Sequence, residues 1–409
     1  MITSIKALEK ILSSTNDFGI DEIPFLESLD RVLKEDIKAD RDFPPFNRVS
    51  MDGIAISYIA FAEGKREFTI ENIQAAGKTQ LDLKNSSNCM EVMTGAVLPN
   101  GTDTVIRYED LHVDGGKANI TIEEITKGQN IHQQANDRKE NDVLLKKNTI
   151  ISPAEIGVLA TVGKSVVKVA IQPKVMIIST GDELVEVTEN PLAYQIRRSN
   201  VYTLVSLLEK LNIKAQTTHI VDDKTLLKEK IKQFLIDYDV LLFSGAVSKG
   251  KFDFLPEVLV ELGVKKEFHK VKQRPGKPFW FGRTATLSMS EQDGKKSRKT
   301  VVFAFPGNPV STFVGCIKYF YPWYKKSVGL VFENFNKAIL GEDFTFKPDL
   351  TYFLQVRLEN KKGLLVAIPA MGNGSGDLAN LANADAFLEL PQDQTDFKTG
   401  EVFPLIIYR

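Results

Sequence analysis

Three stretches of this chain share a design: a strand-like run that leads to carboxylates, in two of them through small residues. Val175–Ser179 leads into Thr180-Gly181-Asp182-Glu183, and Lys214–Val221 leads into Asp222-Asp223. Asp239–Phe243 leads into a loop with Ser244, Gly245, Ser248 and Gly250 that closes on Asp253. The last run is short and apolar, as in a strand buried on both faces. Small residues let backbone N–H groups approach an anion closely, and hydroxyls add donors. Carboxylates gathered beside such loops suit Mg²⁺ bridging to a phosphoryl group, because Mg²⁺ prefers oxygen ligands and brings substrate phosphates with it. Any one of these acids is read equally well as a helix N-cap. Their recurrence at three strand ends favours a site.

A second kind of chemistry is offered by cations. Lys270, Lys272, Arg274 and Lys277 surround Pro275-Gly276 and Pro278 in what reads as a basic turn. Fixed cations beside exposed backbone N–H groups suit an oxyanion such as phosphate or molybdate; the competing reading is a solvated loop. Gly374-Ser375-Gly376-Asp377 is another anion-friendly turn, although alone it reads as a hairpin loop. The four histidines, His112, His132, His219 and His269, have no metal-ligand spacing. No Ser/His/Asp or Cys/His arrangement stands out, and no Gly-x-Gly-x-x-Gly follows a strand.

These residues need elements to hold them. From Pro173 strands and helices alternate: helices are predicted over Asn200–Leu211, Lys224–Ile236 and Leu255–Leu262, and a final strand Val301–Phe305 runs into Pro306-Gly307-Asn308-Pro309 and a helix from Val310. Repeated strand–loop–helix units imply a mostly parallel sheet covered on both faces. Before them, helices are predicted over Ser4–Ser13, Pro24–Leu33 and from Ser152-Pro153 to about Gly163, with a strand over Ser165–Ala170. Phe68–Leu145 reads as short strands with a hairpin turn at Val113–Lys117. Past Leu330, strands are predicted over Tyr352–Leu358, Leu364–Pro369, Ala386–Leu390 and Glu401–Tyr408, a small barrel-like domain. Glu291–Lys299 is a charged, solvated hairpin tip.

Composition narrows the function. A chain of 409 residues holds several domains, with 43% hydrophobic and 26% charged residues as in ordinary globular proteins. The net charge of −1 gives no footprint for nucleic acid or an anionic membrane surface. Cys89 and Cys316 are expected to be buried thiols in a reducing cytosol. There is no apolar leader at Met1–Lys10, and Val301–Tyr324 is broken by Pro306 and Pro309, which opposes a membrane span.

Taken together, the motifs resemble the molybdenum insertases, the MoeA family that includes the C-terminal domain of gephyrin. The resemblance rests on Phe43-Pro44-Pro45-Phe46-Asn47 with Ser50-Met51-Asp52-Gly53, Met93-Thr94-Gly95-Ala96, Gly128-Gln129-Asn130-Ile131, Ser179–Leu184, Ser244–Asp253, Pro275-Gly276-Lys277-Pro278 and Phe305–Ser311. They stand in the family's order along nearly the whole chain. The resemblance implies a multidomain α/β and β protein. Its parts would be a three-layer α/β/α molybdopterin-binding domain (173–329), an elongated helical and β N-terminal domain (1–24, 43–53, 144–172), an inserted β-rich domain (25–42, 54–143) and a C-terminal β-barrel (330–409). It implies a cytoplasmic homodimer whose cleft faces the other subunit's inserted domain. The implied reaction joins molybdate to adenylylated molybdopterin and releases AMP with Mg²⁺, in exchange with a molybdopterin adenylyltransferase and molybdoenzyme apoproteins.

By motif position, Asp52, Asp137, Glu183, Asp222 and Asp253 would be catalytic, the last three also holding Mg²⁺. Thr94, Thr180, Gly181, Asp182, Ser244, Gly245, Ser248, Arg274, Lys277, Pro306, Gly307, Asn308 and Ser375 would bind substrate. Three positions depart from the family pattern. Ala246 stands where a second glycine is usual, His132 where a basic residue is common, and Ala135-Asn136-Asp137 where the family has Gly-Glu-Asp. Two other functions share these features: adenylylation of molybdopterin, which needs only the α/β unit, and a peptide-holding scaffold like gephyrin, which does not need the acids.

Overall fold

The computed structural model describes residues 1–247, 253–285, 299–331 and 336–409. Ser248 and the tip residues 291–298 therefore lie outside the described residues. The chain divides into two compact units. One comprises Met1–Lys34, Asn148–Ser152 and Val167–Arg409; the other comprises Glu35–Lys147 and Pro153–Val166.

The first unit contains the alternating region. Its elements are β1 (Val175–Thr180), α1 (Ser199–Glu209), β2 (Ala215–Ile220), α2 (Lys224–Asp237), β3 (Val240–Ser244), α3 (Leu255–Glu261), β4 (Lys265–His269), β5 (Val271–Arg274), β6 (Trp280–Arg283), β7 (Val301–Phe305), α4 (Pro309–Gly315) and α5 (Tyr321–Ser327). The sheet order is β2-β1-β3-β7-β6-β4. The first four strands are parallel, and β6 and β4 are antiparallel additions. Period-two alternation sends side chains to opposite faces. Val175 and Ile177 pack with Leu204 and Leu208 of α1 and Trp323 of α5. Met176 and Ile178 pack with Leu227 and Ile231 of α2 and Val258 of α3. The result is the expected three-layer arrangement.

The same unit ends in a barrel made of β8 (Lys337–Leu340), β9 (Thr351–Lys361), β10 (Leu364–Pro369), β11 (Ala386–Leu390) and β12 (Val402–Ile407). Pairing runs β9-β10-β8-β12-β11, and β11 pairs back onto β9, so the barrel closes and leaves no edge among these strands. Its core includes Leu340, Leu354, Val356, Leu388 and Leu405. The sequence reading missed β8, the fifth strand that closes the ring. Its four residues, Lys-Ala-Ile-Leu, are too short to reveal a period.

In the second unit a six-stranded sheet runs in the order Thr104–Arg107, Gly53–Ile56, Cys89–Val92, Glu67–Gln74, Lys117–Ile120, Leu111–Asp114. The predicted hairpin turns at Gly115-Gly116, where both backbones are left-handed. Both cysteines are free and buried, and burial pushes the Cys89 thiol up to about 12.

Two local expectations are corrected. Pro24–Leu33 is not a helix. Ile20–Pro24 is a strand paired with Val166–Ala170, and only Phe25–Glu27 makes a single 3₁₀ turn. Asp30 takes a left-handed backbone (φ 59°). The Asp30, Arg31 and Leu33 backbones then bond to Ile151, Ser28 and Thr149; tertiary pairing overrides the helical spacing of the leucines. The basic turn is also partly regular: Val271–Arg274 is the strand β5, parallel to β9, so only Pro275–Pro278 turns.

A nearly buried ion pair joins the α/β region to the barrel. Lys318, in the π-helical turn Cys316–Phe320, meets Glu389 of β11 at 2.6 Å, with 12% and 14% of the two side chains exposed. Removing one partner strands a charge in a low dielectric. Glu389→Leu should therefore cost about 3–5 kcal/mol, read as a fall in melting temperature. The double variant Lys318→Met/Glu389→Leu should recover most of it; equal losses in the single and double variants would refute this account.

Candidate active site

The three carboxylate-bearing loops emerge at one edge of the parallel sheet. Thr180, Gly181, Glu183, Asp222, Ser244, Gly245, Asp253, Gly307 and Asn308 all line a cavity of about 550 Å³. Gly181 has a φ of 128°, which favours glycine, and the Glu183 carboxylate lies directly against it. Asp222 feels its neighbours: its carboxyl is pushed up by burial first, then by the charges of Asp182, Glu183 and Asp253. Crowded acids of this kind are relieved by a cation. Among the described residues no three side chains converge into a ready-made metal cage. These carboxylates are oxygen donors of the kind Mg²⁺ takes alongside waters and substrate oxygens. Two of the acids at these strand ends also make local backbone bonds: Asp182 accepts from the Asp222 N–H at 3.0 Å, and Asp223 caps α2 through the Leu226 N–H at 2.7 Å.

The same cavity holds residues the sequence reading passed over. Arg198 is 8% exposed and bonds to Glu186. Ser179 Oγ lies 3.0 Å from His219 Nδ1, and burial, followed by the charge of Arg198, lowers the pKa of His219. Asn200 donates through Nδ2 to Ser244 Oγ at 2.8 Å and to the Gly307 carbonyl at 2.7 Å. The carbonyl can only accept, so the amide orientation is fixed. Three buried polar atoms on this wall, Thr180 Oγ1, Arg198 Nε and Asn200 Oδ1, have no hydrogen-bond partner among the described residues. Unsatisfied buried groups are uncommon and point to a missing ligand.

A second cavity of about 530 Å³ lies beside the first, and Gly307 and Asn308 line both. Arg274, Lys277, Pro306 and Ser375 face it, with Phe344, Phe346 and Tyr352 on the barrel side. Lys272 does not join them, because it pairs with Asp349 at 2.8 Å. The turn carrying Arg274 and Lys277 is held from within. Buried Tyr319 donates to Gln273 Oε1, and Gln273 Nε2 donates to the Pro275 carbonyl at 3.1 Å. Ser375 is fixed by Asn308 Nδ2 at 2.7 Å and by the Val310 N–H on its carbonyl at 3.1 Å. The Gly374–Asp377 turn is thus part of a site wall rather than a free loop.

In the second unit, Asp52 accepts from the Thr94 N–H at 2.5 Å, which holds its carboxyl below the usual range. Asp137 lies 2.8 Å from His132 Nε2, and Arg48 donates to His132 Nδ1 at 3.0 Å. That donation leaves the ring proton on Nε2, facing Asp137. The strand pair Arg48–Val49 with Ile131–His132 holds both loops, because the Gly95 N–H bonds to the Val49 carbonyl. Arg48 supplies the basic group that the sequence reading missed at this place.

Comparison with known proteins matches these parts in order. The MoeA N-terminal region (domain I and II) matches residues 2–163, a probable molybdopterin binding domain matches 176–326, and the MoeA C-terminal region (domain IV) matches 337–408. Three such regions define a multidomain biosynthetic protein built around a molybdopterin-binding domain. The chain is 39% identical to a molybdopterin molybdenumtransferase of Synechocystis sp. over 410 aligned residues, covering 99% of both chains. It is 30% identical to one of Staphylococcus aureus, covering 98% of this chain and 94% of the relative. A solved MoeA protein from Pyrococcus horikoshii OT3, described as a molybdopterin biosynthesis protein, superposes with a TM-score of 0.82 at 28% identity over the full length of both chains. The chain belongs to the molybdopterin molybdenumtransferase family, transferases of molybdenum cofactor biosynthesis.

The unpartnered Thr180 hydroxyl gives a test of the first cavity. Thr180→Val keeps the shape and removes an unsatisfied buried group that costs about 1–3 kcal/mol. The free protein should melt higher, while affinity for adenylylated molybdopterin should fall roughly tenfold. A variant that melts lower, or binds unchanged, would show that the hydroxyl does not await a ligand.

Proposed function

We propose that this chain inserts molybdate into adenylylated molybdopterin and releases AMP. One observation carries this reading: a cavity bearing Glu183, Asp222 and Asp253 and a cavity bearing Arg274 and Lys277 share the wall Gly307–Asn308. An adenylate and an oxyanion can therefore be held side by side. Glu183, Asp222 and Asp253 are the residues that would hold Mg²⁺. When bound, the ion would neutralise charge on the phosphoryl oxygens as the bond to AMP breaks. Thr180, Gly181, Ser244 and Gly245 would bind the ligand's polar groups through hydroxyls and close backbone N–H groups. Arg274 and Lys277, with Ser375 beside them, would hold the molybdate dianion through charge-assisted hydrogen bonds. Asp52 and Asp137 would orient reacting groups.

Homodimerisation, Mg²⁺ use and a cytoplasmic location are proposed on the family resemblance, as are exchanges with an adenylyltransferase and with molybdoenzyme apoproteins. Among the described residues no helix is long and apolar enough to cross a membrane. Adenylylation of molybdopterin is not favoured, because the similarity extends over both flanking regions and the full-length relatives are molybdenumtransferases.

The test is AMP release from adenylylated molybdopterin and Mg²⁺, with and without molybdate. Release should require molybdate and leave molybdenum on the pterin; adenylate formation from ATP instead would overturn the reading. Asp253→Asn should lower turnover at least about tenfold, since one lost metal–phosphoryl interaction exceeds roughly 1.4 kcal/mol. Chelation of Mg²⁺ should depress the native enzyme more than the variant. Wild-type kinetics in a folded Asp253→Asn would remove that residue from the mechanism.

A further inference from the structure

The cation cavity has an aromatic side, where Phe346 belongs to the barrel core and Phe344 and Tyr352 pack against it. Parallel pairing of β5 with β9 sets Arg274 opposite Tyr352. The Arg274 guanidinium carbon lies 5.9 Å from the centre of the Phe346 ring. Phe346 is stacked on Tyr352 with centroids 4.3 Å apart and planes 9° apart, and Tyr352 is stacked in turn on Phe344 at 5.6 Å and 9°. The ladder is anchored by backbone: Phe344 pairs with Phe397, and the Phe346 N–H bonds to the Thr395 carbonyl at 2.8 Å.

A guanidinium is planar, delocalised and weakly hydrated, so it settles on an aromatic face while its N–H groups point outward in its own plane. An arginine on a mobile stem loses orientation; one resting on a fixed ring keeps it, which lowers the ordering cost of anion binding. We propose that the Phe346–Tyr352 stack is a platform that positions Arg274 for its oxyanion. This inference rests on the reading of Arg274 as a molybdate contact. Phe346 and Tyr352 are positioning residues: they act through Arg274.

The test uses the full chain and molybdate as the probe, measured by equilibrium binding of molybdate alone and by steady-state AMP release. Phe346→Leu keeps an apolar side chain and removes the ring. It should weaken molybdate binding and raise the KM for molybdate about fivefold, with kcat at saturating molybdate within about twofold. Phe346→Trp, which restores a ring face, should return most of the affinity. In an Arg274→Met background, Phe346→Leu should add nothing, because the platform would have no guanidinium left to hold. If Arg274→Met weakens molybdate binding but Phe346→Leu does not, the platform is refuted. If Arg274→Met binds molybdate as tightly as the native chain, it is the assignment of Arg274 that fails. A loss confined to kcat would also overturn the inference. Should Phe346→Leu not fold, Tyr352→Leu removes the ring beneath Phe346 and is held to the same outcomes.

Discussion

The register of three parallel strands is the constraint on which both cavities depend. Ser179 of β1 is level with Ser244 of β3, and Ser244 is level with Phe305 of β7. Thr180, Gly245 and Pro306 therefore leave the sheet at the same height, and the Gly245 N–H bonds to the Phe305 carbonyl at 3.0 Å. On the other side of β1, Thr180 is level with Ile220 of β2, which brings Asp222 to the same edge. A slip of one residue would turn Ile177 toward the opposite layer and carry the loops out of line. Packing of Val175 and Ile177 on one layer and of Met176 and Ile178 on the other holds the register that places the site.

From that edge, side-chain amides carry order outward. Asn200 ties α1 to Ser244 and Gly307, and Asn308 ties β7's turn to Ser375 of the barrel. The acids and the cations meet across this turn. Glu183, Asp222 and Asp253 line one cavity together with Arg197 and Arg198, and Arg274 with Lys277 lines the other, within a net charge of −1. Charges that pair within the protein, as Lys272 does with Asp349 and Arg198 with Glu186, are less available to a ligand. Buried polar partners such as Gln273 and Tyr319 hold the cationic turn without adding charge to it.

Much of this was legible because parallel strands are apolar and their loops begin with small residues. The strands β1, β3 and β7 and the acids that follow β1, β2 and β3 could be read from local pattern. The false helix at Pro24–Leu33 had the right spacing of leucines, yet Leu26 and Leu29 are exposed at 71% and 44%; nothing local reveals that the Arg31 and Leu33 backbones are claimed by Ile151 and Thr149. The same limit hid Arg198, Asn200, Gln273 and Tyr319. Asn200 and Tyr319 act through partners distant in sequence, Gln273 bridges Tyr319 to the nearby Pro275, and Arg198 pairs with Glu186; none belongs to a Gly-rich motif. Arg198 and Asn200 stood beside a predicted helix start after an acidic loop, the one local signal that could have drawn attention to them.

Two of the departures from the family pattern have a common physical form. Ala135 and Ala246 both occupy left-handed backbone, with φ of 61° and 55°, at places where the family usually has glycine. An L-residue in this conformation costs roughly 1–2 kcal/mol. The surroundings impose it: the Ala135 N–H bonds to the Pro44 carbonyl at 3.1 Å and the Asp137 N–H to the Phe43 carbonyl at 2.9 Å, and Ala246 follows Gly245, whose own φ is 110°. Alanine also has fewer unfolded conformations than glycine, which offsets part of the cost. Alanine prefers the β and right-handed helical regions, so at a left-handed position it draws the backbone away from the observed turn, where glycine would not. At the Asp137 turn and at the rim of the first cavity, neighbouring backbone bonds therefore hold a strained residue in place, from the Asp137 N–H to the Phe43 carbonyl and from the Gly245 N–H to the Phe305 carbonyl.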